Sequence, residues 1–212
     1  MQKLKKDIRN LTREELELFF QTNKSPKFRS HQVLDWIWKH RELDFNKMTN
    51  LAFSDRQLLE QNFTINQLHI VKEKTSIDGT VKFLFELENG KLVEGVLIPQ
   101  LKRLTVCISS QVGCSLACNF CATGKLKLYR NLTAGEIYDQ VFLINDYTMK
   151  KFKQRITNIV FMGMGEPLLN FKNVLTSIGY ITDNNGMGMS AKRITLSTVG
   201  ITKMIKKIAD LK

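Results

Sequence analysis

The 212-residue sequence predicts an α/β protein: a partial (β/α) barrel of about three βα units, preceded by a small helical domain and a β-meander. Three patterns predict it. Residues 1–64 carry start signals and apolar spacing of short helices, and residues 65–100 alternate apolar and polar side chains between turn dipeptides. Residues 101–212 then repeat a strand, loop, helix order. Apolar residues three and four apart mark helices, and strict alternation marks half-buried strands.

In the first segment, Leu11-Thr12-Arg13-Glu14-Glu15-Leu16 reads as a capping box with a hydrophobic staple. Thr12 caps, Glu15 reaches back, and Leu11 can pack on Leu16. Pro26 and Ser30 open a second helical stretch carrying Val33, Leu34, Trp36, Ile37 and Trp38. Ser54 and Gln57 form a weaker box before Leu58 and Leu59, and this accessory domain ends near Phe63.

The connector, 65–100, has Val81, Phe83, Phe85 and Leu87 in alternation. Asp78-Gly79 and Asn89-Gly90 are two-residue hairpin signals. Strands are predicted near 66–74, 80–88 and 91–98, ending at Pro99.

From Leu104 the third segment begins with a strand to Ser109 and a cysteine-bearing loop. Thr133-Ala134-Gly135-Glu136 is a capping box for a helix with Ile137, Val141 and Ile144 on one face. The apolar strand Thr157–Met162 runs into Gly163-Met164-Gly165-Glu166-Pro167, and Phe171, Val174, Leu175, Ile178 and Ile181 follow at helical spacing. Asp183–Gly186 is a turn, Arg193–Ser197 a strand, and Ile201, Met204, Ile205, Ile208 and Leu211 a last helical stripe. Three consecutive βα units imply parallel strands with helices outside. Because three units leave an open half-sheet, the chain is expected to be the N-terminal fragment of a longer one.

With 43% hydrophobic and 25% charged residues the chain is a folded protein, not a disordered one. Thirty-two Lys and Arg against twenty Asp and Glu give a net charge of +12. Such an excess favours a polyanionic partner through counterion release, with an inert basic surface as the even alternative. The N-terminal MQKLKKDIRN has no apolar core behind it, and no run approaches the ~18–20 apolar residues of a membrane span. The expected setting is the cytoplasm, with no membrane partner. All four cysteines fall between Cys107 and Cys121, which favours metal or redox chemistry over structural disulfides.

Cys114-Ser115-Leu116-Ala117-Cys118-Asn119-Phe120-Cys121 is a C-x3-C-x2-C loop. Thiolates are the usual protein ligands of iron–sulfur clusters. Three of them on one loop leave one corner of a cubane without a protein ligand, as a catalytic cluster needs. The competing arrangement is zinc held by Cys107, Cys114, Cys118 and Cys121, since zinc prefers four closed ligands. Spacing favours the cluster by about three to one, because Cys107 lies in strand-like sequence and no second C-x2-C pair is present.

The flanks narrow the choice. Cys107-Ile108-Ser109-Ser110-Gln111-Val112-Gly113 enters the loop and Ala122-Thr123-Gly124-Lys125 leaves it. Arg130-Asn131-Leu132-Thr133-Ala134-Gly135-Glu136-Ile137, then Phe161-Met162-Gly163-Met164-Gly165-Glu166-Pro167-Leu168-Leu169-Asn170, then Arg193-Ile194-Thr195-Leu196-Ser197-Thr198 follow in order. Together these resemble the dual-specificity radical S-adenosylmethionine (SAM) methyltransferases, which modify adenine C2 in 23S ribosomal RNA and in some transfer RNAs. The likeness runs from the helical domain to the end of the chain.

That resemblance implies a partial barrel of the radical SAM type, a [4Fe-4S] cluster on Cys114, Cys118 and Cys121, and SAM as cofactor. Phe120 matches the aromatic residue near it. Gly165 and Glu166 match the segment that binds the amino end of SAM: glycine allows close backbone approach, and a carboxylate suits an ammonium group. Ser197 matches a further cofactor contact, its ordinary alternative being a helix cap. Glu94 matches the family's proton acceptor. It shares an alternating face with Leu92, Val96 and Ile98, where an apolar setting would favour the protonated carboxyl, although an edge-strand surface glutamate is the plainer reading of the pattern. Cys107 matches the thiol that resolves a covalent enzyme–RNA adduct; alone it reads as a small buried hydrophobe.

The family's methyl group travels by a methylated cysteine and a 5′-deoxyadenosyl radical. That cysteine belongs to the second half, and no cysteine follows Cys121 here, so these 212 residues alone are expected to be inactive in methyl transfer. Expected partners are 23S rRNA, tRNA and an electron donor such as flavodoxin, with the chain monomeric. Lys125, Lys127 and Arg130 are candidate phosphate contacts. His31, Trp36, Trp38 and His40 are candidates for gripping folded RNA, although the tryptophans read first as core. Reaching C2 requires the base to leave its stack. An adenine-C8 enzyme of the same family and a zinc-stabilised, non-catalytic RNA-binding module are the alternatives.

Overall fold

A computed structural model describes residues 5–210; the start of the basic N-terminal stretch and Leu211 of the last apolar stripe lie outside the described residues. The chain divides into two compact units. One runs up to Gln67 and includes Tyr180–Gly188; the other comprises Leu68–Gly179 and continues from Met189.

The first unit holds strand β1 (Lys6–Asp7), helices α1 (Arg13–Thr22), α2 (Arg29–Leu34) and α3 (Phe53–Asn62), and strand β2 (Phe63–Thr64) parallel to β1. α1 starts where the sequence says: Glu15 N–H donates to Thr12 Oγ1 at 3.2 Å, and Thr12 N–H to Glu15 Oε2 at 2.7 Å. α2 continues through a π-helical turn, Asp35–Lys39. Leu16, Phe20, Val33, Ile37, Trp38 and Leu59 form the core. Trp38 stacks on Tyr180 with ring centroids 3.7 Å apart. The Ser54–Gln57 box is not used: Ala52 caps α3 without a side-chain bond, and Ser54 already lies within the helix.

In the second unit one six-stranded sheet dominates, ordered β10-β9-β6-β5-β4-β3. Its members are β3 (His69–Thr75), β4 (Val81–Glu86), β5 (Leu92–Gln100), β6 (Arg103–Cys107), β9 (Asn158–Phe161) and β10 (Ile194–Leu196). β3 to β6 pair antiparallel, while β6, β9 and β10 pair parallel. Helices α4 (Ala134–Phe152), α5 (Phe171–Thr182) and α6 (Thr202–Ala209) follow the three parallel strands. These are the three βα units of a partial barrel. The 65–100 segment is therefore not a separate connector, because β5 pairs with β6 and extends the same sheet.

The two hairpins also differ from the two-residue form. Gly79 N–H bonds Ser76 O at 3.0 Å, and Gly90 N–H bonds Leu87 O at 2.8 Å. Only the glycines are left-handed, with φ of 85° and 71°. Asp78 and Asn89 stay at negative φ, so each turn is one residue longer than an Asn-Gly type I′ turn.

α4 decides which face of the sheet is buried. Its capping box forms as predicted, and Ile137, Val141 and Ile144 are fully covered. Tyr147 meets Phe83 edge-on at 5.0 Å between ring centroids, and Ile144 lies over Gly95. Phe83, Phe85, Val93, Leu97, Val106 and Ile159 make up the buried face. The opposite face stays open. α6 buries none of its residues, so its apolar stripe is only partly covered.

Candidate functional site

The cysteine loop is a lobe closed at its neck by a short ladder. Strands β7 (Gln111–Val112) and β8 (Arg130–Asn131) pair antiparallel, Gln111 with Asn131 and Val112 with Arg130. Tyr129 N–H donates to Val112 O at 2.8 Å, and Cys114 N–H to Leu126 O at 3.3 Å. Between them Gly113 has φ 76°, and a Cβ there would lie 2.1 Å from the Lys127 carbonyl oxygen. Only glycine fits, so the neck closes because that residue has no side chain. Inside the lobe Cys121 N–H bonds Cys118 O at 3.0 Å, and a 3-10 turn at Ala122–Lys125 follows.

A second wall comes from the turn after β9. Gly163 N–H donates to Ile108 O, and Gly165 takes φ 93° beside Gln111, whose Cβ is 2.5 Å from where a side chain would start. The Gln111 carboxamide accepts Glu166 N–H at 2.8 Å and donates to Asn131 Oδ1 at 2.7 Å. Glu166 is buried, and two backbone amides orient its carboxylate: Oε1 accepts Leu168 N–H and Oε2 accepts Val199 N–H, each at 2.9 Å. Each oxygen keeps a further acceptor site, and the residue lines the cavity. Ser197, just beyond β10, is not a helix cap either, as α6 begins at Thr202 behind Ile201.

These walls enclose one cavity of about 420 Å³. Cys114, Cys118 and Cys121 line it together with Gly165, Glu166 and Ser197, and Phe161, Met162 and Pro167 supply apolar lining. Phe120 stands at its edge, 93% exposed. The structure thus collects six of the eight sequence-derived site residues at one place. All four cysteines are free thiols. Among the described residues no three His, Cys, Asp or Glu side chains converge closely enough to hold a metal ion. The donor set nevertheless suits an iron–sulfur cluster: three thiols on one loop line one cavity, no imidazole lines it, and the one carboxylate, Glu166, is bonded to two backbone amides. Zinc is less well served, because Cys107 lies in β6 and does not line the cavity.

Glu94 and Cys107 sit elsewhere, on the open face of the sheet. Cys107 is paired with Val96, two residues along β5 from Glu94, so both side chains share a face, diagonal neighbours about 7–8 Å apart in ordinary sheet geometry. Glu94 is not enclosed by apolar groups: its side chain is 43% exposed and its Oε1 lies 2.6 Å from Lys82 Nζ. Burial pushes the Cys107 thiol above its ordinary pKa, partly offset by the Met162 N–H.

Sequence reasoning missed Ser109, Gln111 and Gln140. Ser109 Oγ donates to Glu94 O at 2.6 Å and accepts Met164 N–H at 2.9 Å, joining β5 to the glycine turn. Gln140 of α4 brackets the Ser109 backbone, accepting its N–H at 2.9 Å and donating to its carbonyl at 3.0 Å. The only signal in the sequence was polar residues at positions where a strand end and a helix face would bury them.

Of the basic candidates, Lys125 and Lys127 are exposed on the cysteine lobe. Arg130 is not free: it makes a bidentate pair with Glu136 at 2.7 and 2.8 Å, which strengthens its hold on its own proton. Tyr129 is 58% exposed, with Lys91 Nζ 4.6 Å from its ring centroid. Trp38 is core, while Trp36 reaches the first unit's surface and donates to Asn50 Oδ1 at 2.6 Å. Among the described residues no helix is long and apolar enough to cross a membrane.

Two family models match the chain: the ribosomal RNA large subunit methyltransferase N-terminal domain over residues 6–65, and the radical SAM superfamily over residues 108–212. The chain is 52% identical over 210 residues to a probable dual-specificity RNA methyltransferase RlmN of Flavobacterium psychrophilum, covering 99% of this chain and 60% of that protein. The RlmN of Cytophaga hutchinsonii is 54% identical, with 98% and 57% covered. A crystal structure of a radical SAM methyltransferase from Sphaerobacter thermophilus superimposes with a TM-score of 0.81 at 36% identity, over 97% of this chain and 60% of the other. The chain thus spans about three-fifths of the length of these relatives.

Proposed function

Because the chain belongs to the RlmN family of the radical SAM superfamily, we propose that it carries the cluster- and cofactor-binding part of an RNA (adenine-C2) methyltransferase acting on 23S rRNA and tRNA. One observation carries the reading: three thiols, the Gly165-Glu166 turn and Ser197 line a single cavity.

In this reading Cys114, Cys118 and Cys121 hold a [4Fe-4S] cluster, and SAM occupies the cavity between them and the glycine turn. Such a cluster supplies a reducing electron and an iron corner for the cofactor. The chain supplies placement. Gly165 admits the cofactor's amino end to backbone groups, Ser197 offers a hydroxyl from the third strand, and Phe161, Met162 and Pro167 keep water from the reacting end. Glu94 accepts the proton that leaves adenine C2, its carboxylate oriented by Lys82. Cys107 is the resolving thiol, placed on the same sheet face as Glu94 through its pairing with Val96.

RNA is held by the net charge of +12, with Lys125 and Lys127 as phosphate contacts beside the cavity and Phe120 and Tyr129 as exposed faces for unstacked bases. The working state is a cytoplasmic monomer served by a flavodoxin-type electron donor. The experiment is anaerobic reconstitution with iron and sulfide followed by equilibrium dialysis against labelled SAM. Iron-dependent SAM binding is expected; SAM binding indifferent to iron, or tight zinc in its place, refutes the proposal.

A further inference from the structure

We propose that Gln111 and Glu166 form a buried polar strap that fixes the three walls of the cavity relative to one another, and that both are positioning residues for the cofactor. The inference rests on the reading of the cavity as a SAM site.

The walls come from three segments far apart in sequence: the cysteine lobe, the 161–167 turn and the 197–199 loop. Each is the loop that follows one of the parallel strands. The first two are already joined through backbone, since Ser110 and Gln111 N–H both donate to Met164 O at 2.8 and 3.2 Å, and the strap carries that connection on to the third. From the neck of the lobe, Asn131 Oδ1 accepts Gln111 Nε2; Gln111 Oε1 accepts Glu166 N–H; Glu166 Oε2 accepts Val199 N–H. One continuous run of hydrogen bonds therefore spans all three walls. Gln111 and Glu166 are 1% and 3% exposed, and the bond between them is buried, so water does not compete at the middle of the run.

The bonds are also specific to these side chains. Gly165 leaves the space that the Gln111 stem fills, with its Cβ and Cγ 2.5 and 2.7 Å from where a Gly165 side chain would begin. A carboxylate at 166 can accept two backbone amides at once, one per oxygen; an amide can accept only at its single oxygen and would present N–H groups to the other donor. Glu166→Gln therefore frees either Leu168 N–H or Val199 N–H, while Gln111→Leu frees Glu166 N–H. Gln111→Glu keeps the acceptor for Glu166 N–H, and a flipped Asn131 amide can donate to its second oxygen.

Two measurements on this chain test the strap. Hydrogen exchange of the cofactor-free protein reads the bonds themselves: either the Leu168 or the Val199 amide should exchange on the order of tenfold faster in Glu166→Gln, the size of one lost hydrogen bond, with core amides of β5 and α4 unchanged. After anaerobic reconstitution, Gln111→Leu and Glu166→Gln should keep the wild-type iron content yet bind SAM on the order of tenfold more weakly, and Gln111→Glu should restore it. Unchanged exchange at both Leu168 and Val199, or wild-type SAM affinity in both disruptive variants, overturns the strap. So does a parallel loss of iron, thermal stability and SAM affinity, which marks a merely structural pair. Failure of the wild-type chain itself to bind SAM overturns the cavity reading and the strap with it, whereas equal binding by wild type and variants overturns the strap alone.

Discussion

Replacing Gly113 by alanine tests how the cysteine lobe is built. Two costs apply. The left-handed φ of 76° is worth about 1–2 kcal/mol for a residue with a Cβ. In addition, the new methyl would lie 2.1 Å from the Lys127 carbonyl oxygen and 2.9 Å from its carbon, both backbone atoms. The strand on that side must retreat by about an ångström, loosening the Cys114–Leu126 and Tyr129–Val112 bonds at about 0.5–1.5 kcal/mol each. The total, about 2–5 kcal/mol, falls on a small lobe with few covered side chains, so it opens the lobe before it unfolds the sheet. Gly90 provides the control: it has a φ of 71° but nothing within 4 Å of a Cβ, so Gly90→Ala carries only the backbone cost. Resistance to limited proteolysis within 113–129, and iron retained after anaerobic reconstitution, should both be impaired in Gly113→Ala and near wild type in Gly90→Ala. Wild-type protease resistance and iron content in Gly113→Ala would refute the steric reasoning.

Other expectations are as specific. Because burial raises the Cys107 pKa, the folded chain holds that proton more tightly than the unfolded chain; the resulting stability is complete below the ordinary thiol pKa and lost as pH rises through the raised value. Urea midpoints of wild type should therefore fall more steeply than those of Cys107→Ala on the alkaline side, and equal slopes would count against the burial. Thr133→Ala removes the hydroxyl that accepts Glu136 N–H at 3.2 Å and should cost about 1 kcal/mol in chemical denaturation. Lys125→Gln and Lys127→Gln should each flatten the salt dependence of single-stranded RNA binding by about 0.7 in log–log slope. Arg130→Gln should instead lower the melting temperature, because its guanidinium is committed to Glu136.

Much of this was legible in the chain. Both capping boxes form at Thr12 and Thr133, and the alternation at Val81, Phe83 and Phe85 marks the buried face of β4. The alternation of β5 put Glu94 with Val96 and Ile98, but alternation cannot say which face is covered. α4 covers the other one, through Gly95 and its neighbours, leaving Glu94 at the open face beside Lys82. The cysteine spacing and glycine turn identified the cavity walls. What held them together was hidden, because Gln111, Ser109 and Gln140 have partners 31 to 55 residues away. Glu166 shows the same limit: its carboxylate looked suited to an ammonium group, and no local pattern told that it would also accept two backbone amides. The placement of Tyr180–Gly188 with the first unit likewise depends on Tyr180 stacking against Trp38, a contact no local pattern encodes.

The most direct test of the central claim is iron and acid-labile sulfide analysis of the anaerobically reconstituted chain, alongside Cys114→Ala, Cys118→Ala, Cys121→Ala and Cys107→Ala. About four iron and four sulfide per chain are expected for wild type, as a cubane requires, with the same loading in Cys107→Ala and a severe loss in each of the other three. Retention of the cluster in any of those three, or its loss in Cys107→Ala, would contradict the assignment of the site to the three thiols of the lobe.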